Sequence, residues 1–152
     1  MEELRRVRDQ TQSLEFDLGE YLPFQMSVIA GRVFQRVMED AGLQIPEWRI
    51  MMALPANQPC SSHDLCMLTA MDAARVSRAQ RRLEDLKLIS VIRDKVDRRR
   101  LVVQLSAKGI EEVLRLRTAA RDAENDLLDA LGPEDRAHLK TALGNIFELL
   151  AD

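Results

Sequence analysis

A mainly helical fold carrying one small β-hairpin is predicted for this 152-residue chain. Three observations predict it. Apolar residues recur at three- and four-residue steps along most of the chain, a single pair of β-rich runs flanks a polar tip, and Pro, Gly, Ser and Asp fall where helices would start and stop. The length suits one domain. A composition of 46% apolar, 31% charged and 4% aromatic residues excludes a disordered tail, a collagen-like fibre and a disulfide-stapled miniprotein.

The first helix is read from Phe24 to Met38, where Phe24, Val28, Ile29, Val33, Phe34, Val37 and Met38 keep helical spacing. Pro23 suits its first turn and Gly42 ends it. Ile45-Pro46-Glu47 opens a second helix with Trp48, Met51, Met52 and Leu54 on one side, and Pro55 is expected to stop it. Ser61 or Ser62 caps a third, covered by Leu65, Cys66 and Leu68, and Asp72 caps a fourth. On the fourth helix, Val76, Ala79, Leu83 and Leu86 fall on one side, with Ala74, Ser77, Arg78, Arg81, Arg82 and Asp85 opposite. Small residues near its amino end allow close approach to a groove, and Arg75, Arg78, Arg81 and Arg82 reach toward bases or phosphates.

Ile89–Arg93 and Leu101–Leu105 read as strands, the second with Leu101, Val103 and Leu105 alternating, joined by the tip Asp94-Lys-Val-Asp-Arg-Arg-Arg100. Helix, helix, hairpin is the order of a winged helix-turn-helix. The tip would project Lys95, Arg98 and Arg99, and arginine enters a narrow, strongly negative minor groove. Asp94 and Asp97 oppose phosphate binding unless they pair with those arginines, so at least one such pair is expected. Ser106 caps a fifth helix reaching about Leu131. Gly132-Pro133 breaks it, and a sixth follows with Leu139, Leu143, Ile146, Phe147 and Leu150 at helical spacing.

Charge is unevenly placed. Residues 72–100 hold ten basic and five acidic side chains, a balance of +5, which leaves twelve basic and twenty acidic elsewhere, a balance of −8, within a total of −3. A basic island in an acidic body suits a protein that meets phosphates with one face. A merely solvated helix face is the plainer alternative. The first and last helices have no evident partner inside so small a lobe. Burial against a second copy is expected, a two-fold homodimer, with a larger monomeric bundle as the alternative. The organisation expected is one domain over 1–152, with a DNA-binding lobe at about 45–105 and dimerisation helices at about 14–44 and 106–152.

With these elements in order, Pro46 to Gly109 resembles the MarR family of bacterial transcription regulators. The matching residues are Pro46-Glu-Trp-Arg49, Val76-Ser-Arg78 with Arg82-Leu-Glu84, Asp94-x-x-Asp97-Arg98-Arg99, and Leu105-Ser-Ala-Lys-Gly109. The resemblance implies a homodimer with intertwined helical termini that sets its fourth helices in the major grooves of a palindromic operator on double-stranded DNA. It implies Ser77 and Arg78 as base or phosphate contacts, Asp97 and Arg99 as the pair that structures the wing, and Arg98 as the minor-groove finger. It also implies a repressor released by a small effector, an aromatic acid for example, in a cleft that Tyr21, Phe24, Trp48 and Met52 would line. For any one of those four residues core packing is the favoured reading, since apolar residues at helical spacing are usually core. One departure stands out: Lys87-Leu88 replaces the family's usual Gly-Leu after the recognition helix, which predicts a strained Lys87 or a different helix end.

Other chemistry has little support. Cys60 and Cys66 are read as reduced, inert thiols rather than sensors, and His63 and His138 lack metal-ligand spacing. No nucleophile and base pair, glycine-rich phosphate loop or metal motif indicates an enzyme or a cofactor. No run approaches the roughly 18 apolar residues of a membrane span, and MEELRRVRDQ lacks a signal peptide's apolar core, so a cytoplasmic protein is expected. The competing function is a helical adaptor whose basic 72–100 segment holds an acidic protein.

Overall fold

The computed structural model describes residues 16–150. Residues 14, 15, 151 and 152 of the expected dimerisation segments lie outside the described residues. The helices are α1 (Leu22–Met38), α2 (Ile45–Asn57), α3 (Ser62–Thr69), α4 (Ala73–Asp85), α5 (Ala107–Asp129) and α6 (Pro133–Leu149), with strands β1 (Ile89–Arg93) and β2 (Leu101–Leu105) between α4 and α5. The described residues fall into two units, one ending at Val33 and one beginning at Phe34.

In the amino-terminal unit, Asp17 Oδ1 accepts the Gly19 and Glu20 amides at 2.8 and 3.3 Å, turning the chain ahead of α1. The Phe16 and Tyr21 rings meet edge-on, 5.1 Å between centroids.

The second unit is built around Ile50, Met51, Leu54, Leu65, Val76 and Leu83, all fully buried. These residues lie on α2, α3 and α4, so the three helices share one core. In α2 the buried Glu47 accepts the Gln44 amide at 2.7 Å, satisfying a donor that the helix start leaves free. Pro55 does not stop this helix, which runs on to Asn57. Pro55 withholds only its own N–H, and the Gln58 amide bonds Leu54 O beyond it. Ser61, not Ser62, caps α3 in a reciprocal box with Asp64. Leu68 gives less cover than the spacing predicts, being 45% exposed, whereas Leu65 is fully buried.

β1 and β2 pair antiparallel with Ile89 opposite Leu105 and Arg93 opposite Leu101. The alternation holds for Val103 and Leu105, but Leu101 is exposed and Val102, on the other face, is buried. Cys60 adds a one-residue rung to β2 from outside the hairpin: its N–H and C=O bond Val103 O and N at 3.2 and 2.8 Å. Ser106 caps α5 by accepting the Gly109 amide at 2.9 Å and donates to Lys87 O at 2.7 Å. No residue of α6 is buried, and Leu139, Leu143, Phe147 and Leu149 on it are exposed.

Candidate nucleic-acid interface

Asp72 starts α4 by accepting the Arg75 amide on Oδ1 at 2.8 Å. That hydrogen bond, with the charges of Arg75 and Arg78, holds its carboxyl below the usual carboxylate range. Val76, Ala79 and Leu83 turn inward, while Ala74, Arg75, Arg78, Arg81 and Arg82 are exposed and Ser77 is half-buried. The helix ends in paired bonds from Lys87 N to Glu84 O at 2.8 Å and Leu88 N to Leu83 O at 2.9 Å, with Lys87 left-handed at φ 60°. This is the geometry in which glycine usually stands, and the lysine adopts it without altering the helix end.

Two polar residues of α4 brace the lobe itself. Arg82 Nη2 donates to Gly42 O at 3.0 Å, so this arginine holds the loop before α2. Gln80 is buried and its Oε1 accepts from Ser62 Oγ at 3.0 Å, tying α3 to α4. Sequence reasoning passed over Gln80, although it falls between Val76 and Leu83 on the buried stripe.

The wing tip is ordered by its carboxylates through backbone amides. Asp94 Oδ1 accepts the Val96 and Asp97 amides at 2.7 and 3.1 Å, which holds its carboxyl below the usual range. Asp97 Oδ1 accepts the Arg99 amide at 3.0 Å, so Asp97 and Arg99 are linked through the main chain and not through their side-chain charges. Arg93 Nη1 reaches Arg98 O at 3.0 Å. The expected pairing of Asp94 or Asp97 with a tip arginine is not formed: the ion pair in this region joins Arg100 to Asp64, 2.7 Å apart. The Asp64 carboxyl is held below the usual range first by hydrogen bonds from Ser61 and then by the Arg100 charge. Among the described residues the side chains of Arg75, Arg78, Arg81, Arg82, Lys95, Arg98 and Arg99 enter no ion pair. One helix and one loop therefore present seven exposed cations, of which Arg82 is bonded to a backbone carbonyl.

Trp48 and Met52 line an open hollow of about 320 Å³ with Arg49, Ala53, Leu68 and Thr69. Trp48 meets Phe34 edge-on at 4.8 Å, and its buried indole N–H finds no acceptor among the described residues. Tyr21 and Phe24 lie in the amino-terminal unit, at the entry and first turn of α1, and are exposed. Burial pushes the Cys60 thiol up, with the Asp64 charge adding to it. A raised thiol is a poor nucleophile. Among the described residues no three His, Cys, Asp or Glu side chains gather as a metal site. No helix among them is long and apolar enough to cross a membrane.

Residues 41–100 match the sequence model of the MarR family. The fold is similar to that of a probable transcriptional regulator from Pseudomonas aeruginosa at 30% identity, covering 85% of this chain and 98% of that one with a TM-score of 0.74. It is similar to Bordetella bronchiseptica BpsR, whose DNA binding is regulated by 6-hydroxynicotinic acid, at 25% identity over 87% and 96% of the two chains and a TM-score of 0.74. A MarR family transcriptional regulator from Silicibacter pomeroyi DSS-3 matches at 25% identity over 90% and 99%, with a TM-score of 0.72. The comparison with curated proteins returned no match.

Proposed function

The chain belongs to the MarR family, and from that premise we propose that it is a homodimeric repressor that reads a palindromic operator with α4 and the β1–β2 wing and is released by a small aromatic effector. The observation that carries the reading is the set of seven cations on α4 and the wing tip that enter no ion pair among the described residues, in a chain that is otherwise acidic. Ala74, Ser77 and Arg78 lie at the end of α4 that enters the major groove. Arg75 and Arg81 take phosphates beside it. Lys95, Arg98 and Arg99 belong to the minor groove, with Asp97 shaping the turn beneath them. Arg82, engaged with Gly42 O, aims the helix more than it binds DNA.

Dimerisation is supported by the exposed apolar residues of α6, which water alone would not favour. A two-fold dimer sets two recognition helices on half-sites about 34–36 Å apart. The effector reading is supported by the hollow beside Trp48 and Met52 and by the hydroxynicotinic acid that regulates BpsR. A ligand that prefers dimers with mis-spaced reading heads lowers DNA affinity by shifting the population. Trp48 and Met52 are the residues of this chain assigned to the effector site.

Selection from a random duplex pool tests this reading. An inverted repeat with half-site centres about 10 base pairs apart is the expected product. Enrichment of no sequence, together with a stable complex with an acidic protein, would favour the adaptor instead.

A further inference from the structure

Ten basic residues crowd residues 72–100, and Arg100 is the one among them that forms an ion pair among the described residues. Its Nη2 donates to Ser61 Oγ at 3.0 Å and to Asp64 Oδ2 at 2.7 Å. The same Asp64 oxygen accepts the Ser61 amide at 2.8 Å and the Ser61 hydroxyl at 2.7 Å. The guanidinium is thus seated on the cap of α3.

This interaction extends a line of links between the segment before α3 and β2. The Leu105 amide donates to Gln58 Oε1 at 2.8 Å, Cys60 and Val103 exchange backbone bonds, and Arg100 closes the line on Ser61 and Asp64. Toward the tip, apolar packing gives out: Leu101 is 57% exposed and Val96 97%. A hairpin end without buried apolar surface needs a polar tether to hold one direction.

We propose that Arg100 is a positioning residue, clamped by Ser61 and Asp64 so that the wing keeps a fixed direction relative to α3, and that it does not bind phosphate itself. The proposal rests on the DNA-reading function for its consequence, though not for its geometry. Both side chains of the pair are about half exposed, 49% and 41%, and such pairs add little to global stability. The clamp acts on wing order. It makes Asp64, a carboxylate on the reading lobe, a residue that favours DNA binding.

Two readouts test it on the full chain with Arg100→Ala, Asp64→Asn and the double variant. In the free protein, amide exchange at Asp94 and Arg100, whose N–H groups bond within the tip, is expected to quicken about tenfold in each variant. Unchanged exchange overturns the clamp. On the duplex that the wild-type protein selects from a random pool, both single variants are expected to bind about tenfold more weakly. The double variant should be no weaker than either. Arg100→Ala should leave the salt slope unaltered, whereas removing a side chain that binds phosphate lowers the slope by about 1. Tighter binding by Asp64→Asn, or a slope lowered by about 1 in Arg100→Ala, overturns the proposal. If the wild-type protein selects no duplex, the proposed function fails, and the exchange measurement alone decides the clamp.

Discussion

Lys87 holds a left-handed backbone at φ 60°, a conformation that costs a residue with a Cβ roughly 1–2 kcal/mol relative to its right-handed form. Glycine is free of that cost, although it loses more entropy on folding. Lys87 is exposed, so its side chain has no packing to lose. Lys87→Gly is expected to raise stability by about 1 kcal/mol, read as a higher urea midpoint with an unchanged m value. A lower midpoint would mean that the lysine side chain contributes more than its backbone costs. The departure was legible through the family resemblance, which puts glycine where Lys87 stands, and the left-handed helix end gives that glycine its physical cause. The roles of single arginines were less legible. Periodicity places Arg82 on the outer face of α4, but its bond to Gly42 O spans forty residues, and spacing along one helix carries no information about a carbonyl on another loop. Arg100 and Asp64 are hidden for the same reason.

Among the elements, the hairpin was the most legible, since both strands run from Ile89 to Arg93 and from Leu101 to Leu105 as the β-rich runs predict. The caps at Asp72 and Ser106 were legible too, and that at Ser61 as one of two neighbouring serines, because a short polar side chain before an apolar-periodic run satisfies amides that the helix cannot. The Cys60 rung was not: a one-residue pairing has no period to detect. Gly109, part of the family pattern in the sequence, has a physical cause in the packing of α5 on the start of β1. A Cβ there would stand 1.9 Å from Leu88 O and 3.3 Å from Leu105 Cδ2, and Leu88 O already accepts the Ser106 amide at 3.0 Å. Backbone cannot swing aside as a side chain does. Gly109→Ala is expected to cost about 3 kcal/mol, seen as a lowered denaturation midpoint, and an unaffected midpoint would show that α5 can slide away from β1 at no cost.

Across the whole molecule, two distributions matter, charge and exposed apolar surface. The +5 of residues 72–100 against −8 elsewhere steers one face toward a polyanion and turns the rest away. Among the described residues α6 has no fully buried side chain, although its leucines and Phe147 keep helical spacing. Sequence patterning foresaw that surplus of apolar face, since such a stripe exists to be covered, and a second copy of the chain is the cover proposed for it. The proposed effector site was the least legible feature, because Trp48 and Met52, which line the hollow, also pack against the core.

The central claim is that α4 and the wing read DNA, and its most direct test is a fluorescence-anisotropy titration of the selected duplex across a range of salt. Wild type, Arg78→Ala and Arg98→Ala would be compared. Wild-type affinity is expected to fall steeply with salt, each variant to bind at least about tenfold more weakly, and the salt slope to drop by about 1 wherever the replaced arginine binds a phosphate. Binding that ignores salt, or that both variants leave intact, would contradict the claim.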